Sequence, residues 1–180
     1  MPYYTGKGDA GKTGLLGDCV LDKKDLIFAA MGAVDELNSA VGAALYYTHD
    51  DLVRGELRRV QNDLFVMGAG LASSSRIKTA KGTRLDVGAV ERLEGAIKDI
   101  ERRIKPPRKF VLPGGCEGAV HLHIARTVAR RAEQGIFAVP ARYRISAEVK
   151  EYLNRLSSYL FAAAIYLNYV EEIDDTHPTY

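Results

Sequence analysis

Residues 27–48 read IFAAMGAVDELNSAVGAALYYT. Val34, Leu37, Val41 and Leu45 recur at intervals of three and four, which puts them on one face of an α-helix, so a long amphipathic helix is predicted here. Towards the C-terminus the pattern recurs. Asp50 or Asp51 caps a second helix over about 51–74, with Leu57, Val60, Leu64, Met67 and Leu71 as its stripe and Gly68, Gly70 and Ala72 small enough for close helix contact. The stretch SSSRIKTAKGTR at 73–84 reads as a loop. A third helix is predicted from a cap at Asp86 through Val90, Leu93, Ile97 and Ile100 to Ile104, stopped by Pro106 and Pro107. Residues 116–137 carry Val120, Ile124, Val128, Ala132 and Ile136, with Gly135 and Pro140 as the expected stop. The last helix is capped by Ser146 and runs through Val149, Leu153, Leu156, Leu160 and Leu167.

Five long helices with short connections, and no strands alternating with them, predict an all-α, five-helix up-and-down bundle over 27–172. The 180 residues fit a single domain spanning 1–180, and a net charge of +2 offers no polybasic arm for nucleic acid. No signal peptide is read at the N-terminus, and no run approaches the roughly 18 apolar residues of a membrane span. A cytoplasmic protein without membrane association is expected. Cys19 and Cys116 have no CxxC spacing and read as reduced structural thiols.

Towards the N-terminus, TGKGDAGKTGLLGD at 5–18 has little to bury. Its glycines let backbone N–H groups converge on an anion, Lys7 and Lys12 bring positive charge, and Thr5 and Thr13 bring hydroxyls, a composition that suits a polyphosphate. A flexible glycine-rich terminus is the bland alternative. Gly6 to Thr13 also match GxxxxGK[ST], the phosphate loop of many nucleotide hydrolases. That loop leaves a buried strand and opens a helix, whereas here only MPYYT precedes and GLLGD follows, so the match reads as a decoy.

A second polar cluster lies on the fourth helix, where Arg126, Arg130 and Glu133 share a face. Guanidiniums so placed bind phosphate or carboxylate bidentately, but a solvated stripe with Arg130 paired to Glu133 fits the spacing equally. His121 and His123 point to different sides of the helix, which disfavours a metal pair, and no metal ligands are assigned. Asp35 and Glu36 read equally as surface acids.

YTGKGDAGKTGLLG, MGAVDELNSAVG, FVLPGG, ARTVARRAEQ and YLNRLSSYLF, in this order, resemble the ATP:corrinoid adenosyltransferases of the PduO type over essentially the whole chain. The resemblance implies a cobalamin adenosyltransferase-like bundle, a homotrimer with active sites between subunits, and transfer of the 5′-deoxyadenosyl group of ATP to cob(I)alamin with release of triphosphate. It implies ATP contacts at Thr5, Gly6, Gly8, Asp9, Gly11, Lys12, Thr13, Lys24, Arg130, Glu133 and Asn154, with Mg²⁺ carried mainly by the ATP phosphates. Arg126 is implied to pair with Asp35 across the subunit interface, and Phe110 to cover the lower face of the corrin. A reductase and an adenosylcobalamin-dependent enzyme are the implied partners. Some relatives carry a basic residue where this chain has Gly14, a departure that bears on ATP affinity rather than on reaction type. The polar C-terminal EEIDDTHPTY is expected to be disordered, and no function is carried to it. The competing reading is a non-enzymatic helical oligomer that senses ATP or carries a corrinoid.

Overall fold

The computed structural model describes residues 3–15, 20–73 and 84–179; Cys19 and residues 74–83 of the expected loop lie outside them. Five helices form where the apolar stripes place them: α1 Leu26–Tyr47, α2 Asp51–Ser73, α3 Ala89–Arg103, α4 Glu117–Ala138 and α5 Ala147–Val170. Their starts follow the capping chemistry. The Asp25 carboxylate accepts from Ile27 N at 3.1 Å and that of Asp50 from Val53 N at 3.0 Å, each satisfying an amide that the first helical turn leaves free. Cys116 caps α4 through its sulfur, which accepts from Ala119 N at 3.4 Å. It is a buried free thiol, and burial pushes its ionisation upward.

Some boundaries differ from expectation. α3 starts at Ala89 with Gly88 as its cap, because Asp86 offers only its carbonyl to Ala89 N at 3.1 Å. Gly135 does not stop α4. It lies inside the helix and faces α1, where a Cβ would stand 3.6 Å from Ala30 Cα, an ordinary contact distance. In space the order is α2, α1, α4, α5, α3, and α4, flanked by α1 and α5, is central. The core is one cluster built from the predicted stripes, including Leu37, Leu64, Leu93, Leu122 and Leu156.

The fold is not purely helical. A two-stranded antiparallel ribbon precedes the bundle, with β1 Lys12–Gly14 pairing β2 Val20–Asp22 and Thr13 opposite Leu21. Strands of three residues are too short to show a period-two pattern in the sequence. By length and composition α1 is apolar enough to cross a membrane, contrary to the expectation that no stretch would be. Its Ile27, Val34, Leu37 and Val41 are buried in the bundle, and Asp35 and Glu36 interrupt its exposed side.

The C-terminal segment after α5 is not loose as expected. It turns back at Glu172, which has φ 56°, and runs beside the loop before α4, with Leu112 N donating to Thr176 O at 2.8 Å.

Candidate active site

α4 carries the basic cluster, and its helical spacing aims Arg126 and Arg130 together into a cavity of about 380 Å³ bounded by α3, α4 and α5. The other walls are mainly apolar, with Ile97, Ile100 and Ile104 from α3 and Phe161 from α5. The Arg126 guanidinium lies 6.0 Å from the Phe161 ring centroid, and its Nε is buried with no hydrogen-bond partner. Burial first, and then the charge of Arg130, push Arg126 below its usual ionisation range. Among the described residues no carboxylate pairs with either guanidinium. Two unneutralised cations at the edge of an apolar cavity form a receptor for an anion.

Arg130 and Glu133 therefore do not form the surface pair that their spacing allows. Glu133 accepts instead from Asn154 Nδ2 at 3.0 Å, while Arg155 Nη1 donates to Asn154 Oδ1 at 2.9 Å and Arg155 Nε to Glu94 at 2.7 Å. This chain of contacts fixes Asn154 and joins α3, α4 and α5. Arg155 and Phe161 escape a reading of the sequence, because nothing in helical spacing separates them from ordinary surface and core neighbours.

Asp35 is exposed on α1 and forms no ion pair among the described residues, whereas the adjacent Glu36 pairs with Arg131 of α4. Phe110 is 80% exposed and so is not a core residue. Its carbonyl is hydrogen-bonded to His177 Nδ1 at 2.9 Å. His121 stacks on Tyr47 with centroids 4.2 Å apart, while His123 is buried beside Phe161.

The glycine segment is a separate structure. Gly6 and Gly11 adopt φ of 66° and 78°, where a side chain would be strained, and Asp9 N and Gly11 N turn back to Gly6 O and Gly8 O. Thr5, Lys7, Asp9 and Lys12 are exposed around this turn. Lys12 and Thr13 enter β1 rather than a helix, so the arrangement is not that of the nucleotide-hydrolase loop. Lys24, expected at the phosphates, donates its backbone N–H to the Asp22 carboxylate. Lys23 lies against the loop, its Nζ 3.0 Å from where a Cβ on Gly8 would stand. Adjacent lysines are indistinguishable in the sequence until the ribbon register orients them. The ribbon is tied to the bundle at Asp25, whose carboxylate accepts from Arg142 Nη2 at 2.7 Å. No hydrogen bond or ion pair among the described residues joins the glycine turn to Arg126 or Arg130.

His123 gives a pH prediction. Neither ring nitrogen has a hydrogen-bond partner, and burial, then the charge of Arg126, lowers its pKa from 6.5 against a smaller upward pull from Asp175. The folded state thus resists a proton that the unfolded chain accepts. Stability is full above about pH 6.5 and falls as the pH drops below it, until the folded histidine also titrates. His123→Leu should flatten this acid limb, measured as urea midpoints at pH 7.5 and 5.5; an unchanged slope would refute the assignment.

The geometry thus defines a class: a helical bundle with two arginines at the edge of a mainly apolar cavity and a glycine-rich turn at its N-terminus. The cobalamin adenosyltransferase family matches residues 3–167. The chain is 40% identical over 180 residues to the corrinoid adenosyltransferase of Bacillus subtilis, covering 97% of this chain and 91% of that one. It is 37% identical over 164 residues to corrinoid adenosyltransferase PduO of Salmonella typhimurium, covering 91% of this chain and 49% of that longer protein. It superposes with a TM-score of 0.92, at 35% identity, on a variant PduO-type ATP:corrinoid adenosyltransferase from Lactobacillus reuteri complexed with cobalamin and ATP, covering 99% of this chain and 100% of that one. The chain belongs to the cobalamin adenosyltransferase family.

Proposed function

We propose that this protein transfers the 5′-deoxyadenosyl group of ATP to the cobalt of cob(I)alamin, giving adenosylcobalamin and triphosphate. The observation that carries the reading is the pair Arg126 and Arg130, two guanidiniums that form no ion pair among the described residues, at a mainly apolar cavity whose rim also carries Glu101. An ATP sensor would need the cations but not the apolar walls beside them. Cobalt(I) donates an electron pair to C5′, the Co–C bond forms as the C5′–O bond breaks, and triphosphate leaves with the electrons of that bond. No general base is required, because the nucleophile carries no proton to remove.

What the chain must supply is orientation and charge. Arg130 receives the departing triphosphate, while Lys7, Lys12 and Lys23 with the amides of residues 5–13 hold the phosphates. Glu133, by fixing Asn154, sets the polar edge on which the nucleoside rests. Mg²⁺ would enter as counter-ion of the phosphates. Phe110 covers the lower face of the corrin, excluding the axial ligand that makes cobalt(II) hard to reduce. The setting we infer is the cytoplasm, where a reductase would supply the electron and an adenosylcobalamin-dependent enzyme would take the product.

The assembly we infer is a homotrimer in which Asp35 of one subunit meets Arg126 of the next. Neither forms an ion pair among the described residues, and joining them would neutralise both charges. Either alanine substitution should cost several kcal/mol of assembly free energy, and the charge-swapped pair should regain part of it. Additive single effects in a double-mutant cycle, read by sedimentation, would contradict the pairing.

The direct test is incubation of the protein with MgATP and chemically reduced cobalamin. A light-sensitive Co–C product with stoichiometric triphosphate is expected; binding of both substrates without that product would return the carrier reading.

A further inference from the structure

We infer that Asn168, near the end of α5, is a positioning residue for the loop that carries Phe110. The inference rests on the reading of Phe110 as the residue covering the corrin. With 80% of its surface exposed, Phe110 has little packing of its own to hold it, so its place must be set through the backbone.

Asn168 is where that backbone is held. The side chain is buried, with 2% exposure, and both ends of its amide are engaged. Oδ1 accepts from Cys116 N at 3.1 Å, and Nδ2 donates to Gly114 O at 3.3 Å and to Asp175 Oδ1 at 3.5 Å. Gly115 lies between the first two contacts with φ 108°, and a Cβ there would fall 1.9 Å from Asn168 Oδ1. The turn is therefore moulded against the amide. Cys116 is also the cap of α4, so the same side chain fixes where the loop ends and the helix of Arg126 and Arg130 begins.

The third contact reaches the other end of the loop. Asp175 sits on the returning C-terminal segment, whose next residues, Thr176 and His177, bond to Leu112 N and Phe110 O. One buried amide thus ties the loop's downstream end directly and its upstream end through the segment that braces it. Asn168 is not among the residues lining the cavity, so it acts only through the loop.

Asn168→Asp tests this with almost no change of shape. It keeps the acceptor for Cys116 N but turns the donor into an acceptor facing two others, Gly114 O and Asp175. The rate starting from cobalt(II) with a weak reductant should fall about tenfold or more relative to the rate starting from supplied cobalt(I). The KM for ATP should be unchanged. Adding D175N restores a donor across the 3.5 Å contact and should recover part of the ratio. Should N168D fold poorly, D175A removes only the third contact and should shift the ratio in the same direction by less.

A second readout is independent of the chemistry. The chain has no tryptophan, so F110W introduces a single fluorophore on the loop. In the presence of N168D or D175A its anisotropy should drop and its quenching by acrylamide should rise. Unchanged anisotropy overturns the positioning role whatever Phe110 does. If anisotropy changes but the cobalt(II) to cobalt(I) ratio holds in N168D and D175A while F110A loses the cobalt(II) reaction, the link from Asn168 to function is overturned. If F110A also keeps that reaction, the reading of Phe110 fails, and the inference falls with it.

Discussion

Turnover of Arg130→Lys should fall by about 100-fold or more, with a smaller effect on ATP binding. Charge is conserved in this change; geometry is not. A guanidinium offers parallel N–H groups that match two phosphate oxygens and spreads its charge over a plane, whereas an ammonium is a compact, strongly hydrated point. The leaving triphosphate gains charge as the C5′–O bond breaks, so the donor best aligned in the transition state contributes most to rate. Arg126 cannot substitute, because it is partly buried over the Phe161 ring and lies one helical turn away. Single-turnover mixing with preformed cobalt(I) isolates this step. Wild-type rates there would place Arg130 in a solvated stripe, outside the chemistry.

Phe110→Ala should leave the fold intact and nearly abolish adenosylation that begins from cobalt(II). A core phenylalanine would cost about 3–5 kcal/mol on truncation. A ring 80% exposed has little such burial to lose, so the denaturation midpoint should scarcely move. The functional defect follows from redox chemistry: a lower ligand that stays bound keeps cobalt(II) resistant to weak reductants. Supplying cobalt(I) bypasses the reduction, and the defect should then be much smaller. A stable variant that reduces and adenosylates cobalt(II) as the wild type does would leave the ring no part in ligand displacement.

The contrast between helices and site shows what a sequence makes legible. Val34, Leu37 and Val41 announce α1 because burial must repeat with the helical period, and the same logic yields α2, α4 and α5 within a few residues. Arg126 and Arg130 were legible as neighbours for the same reason. Whether they faced water or a cavity depended on Phe161 and on α3, which packs against α5 across a long separation in sequence. The approach of Lys23 to the glycine turn, and the bracing of the Phe110 loop by the C-terminal segment, follow from ribbon register and from contacts between distant residues. Neither carries a periodic signal. Gly135 misled because a glycine near a helix end has two meanings, a stop or a packing contact, and only the neighbouring Ala30 decides between them.

The contacts of α4 near its two ends make that helix a ruler. Gly118 meets Leu167 and Tyr47, with room for a Cβ only at 2.8 and 3.1 Å, and Gly135 meets Ala30. Between them lie about 25 Å of unbroken helix at 1.5 Å per residue. One residue inserted in that span would advance everything beyond it by about 100° and 1.5 Å, so that Gly135 would be carried off Ala30 or, with that end held, the arginines would swing away from the cavity. The count from Gly118 to Gly135 is a fixed gauge, and evolution can alter the letters along it but not their number.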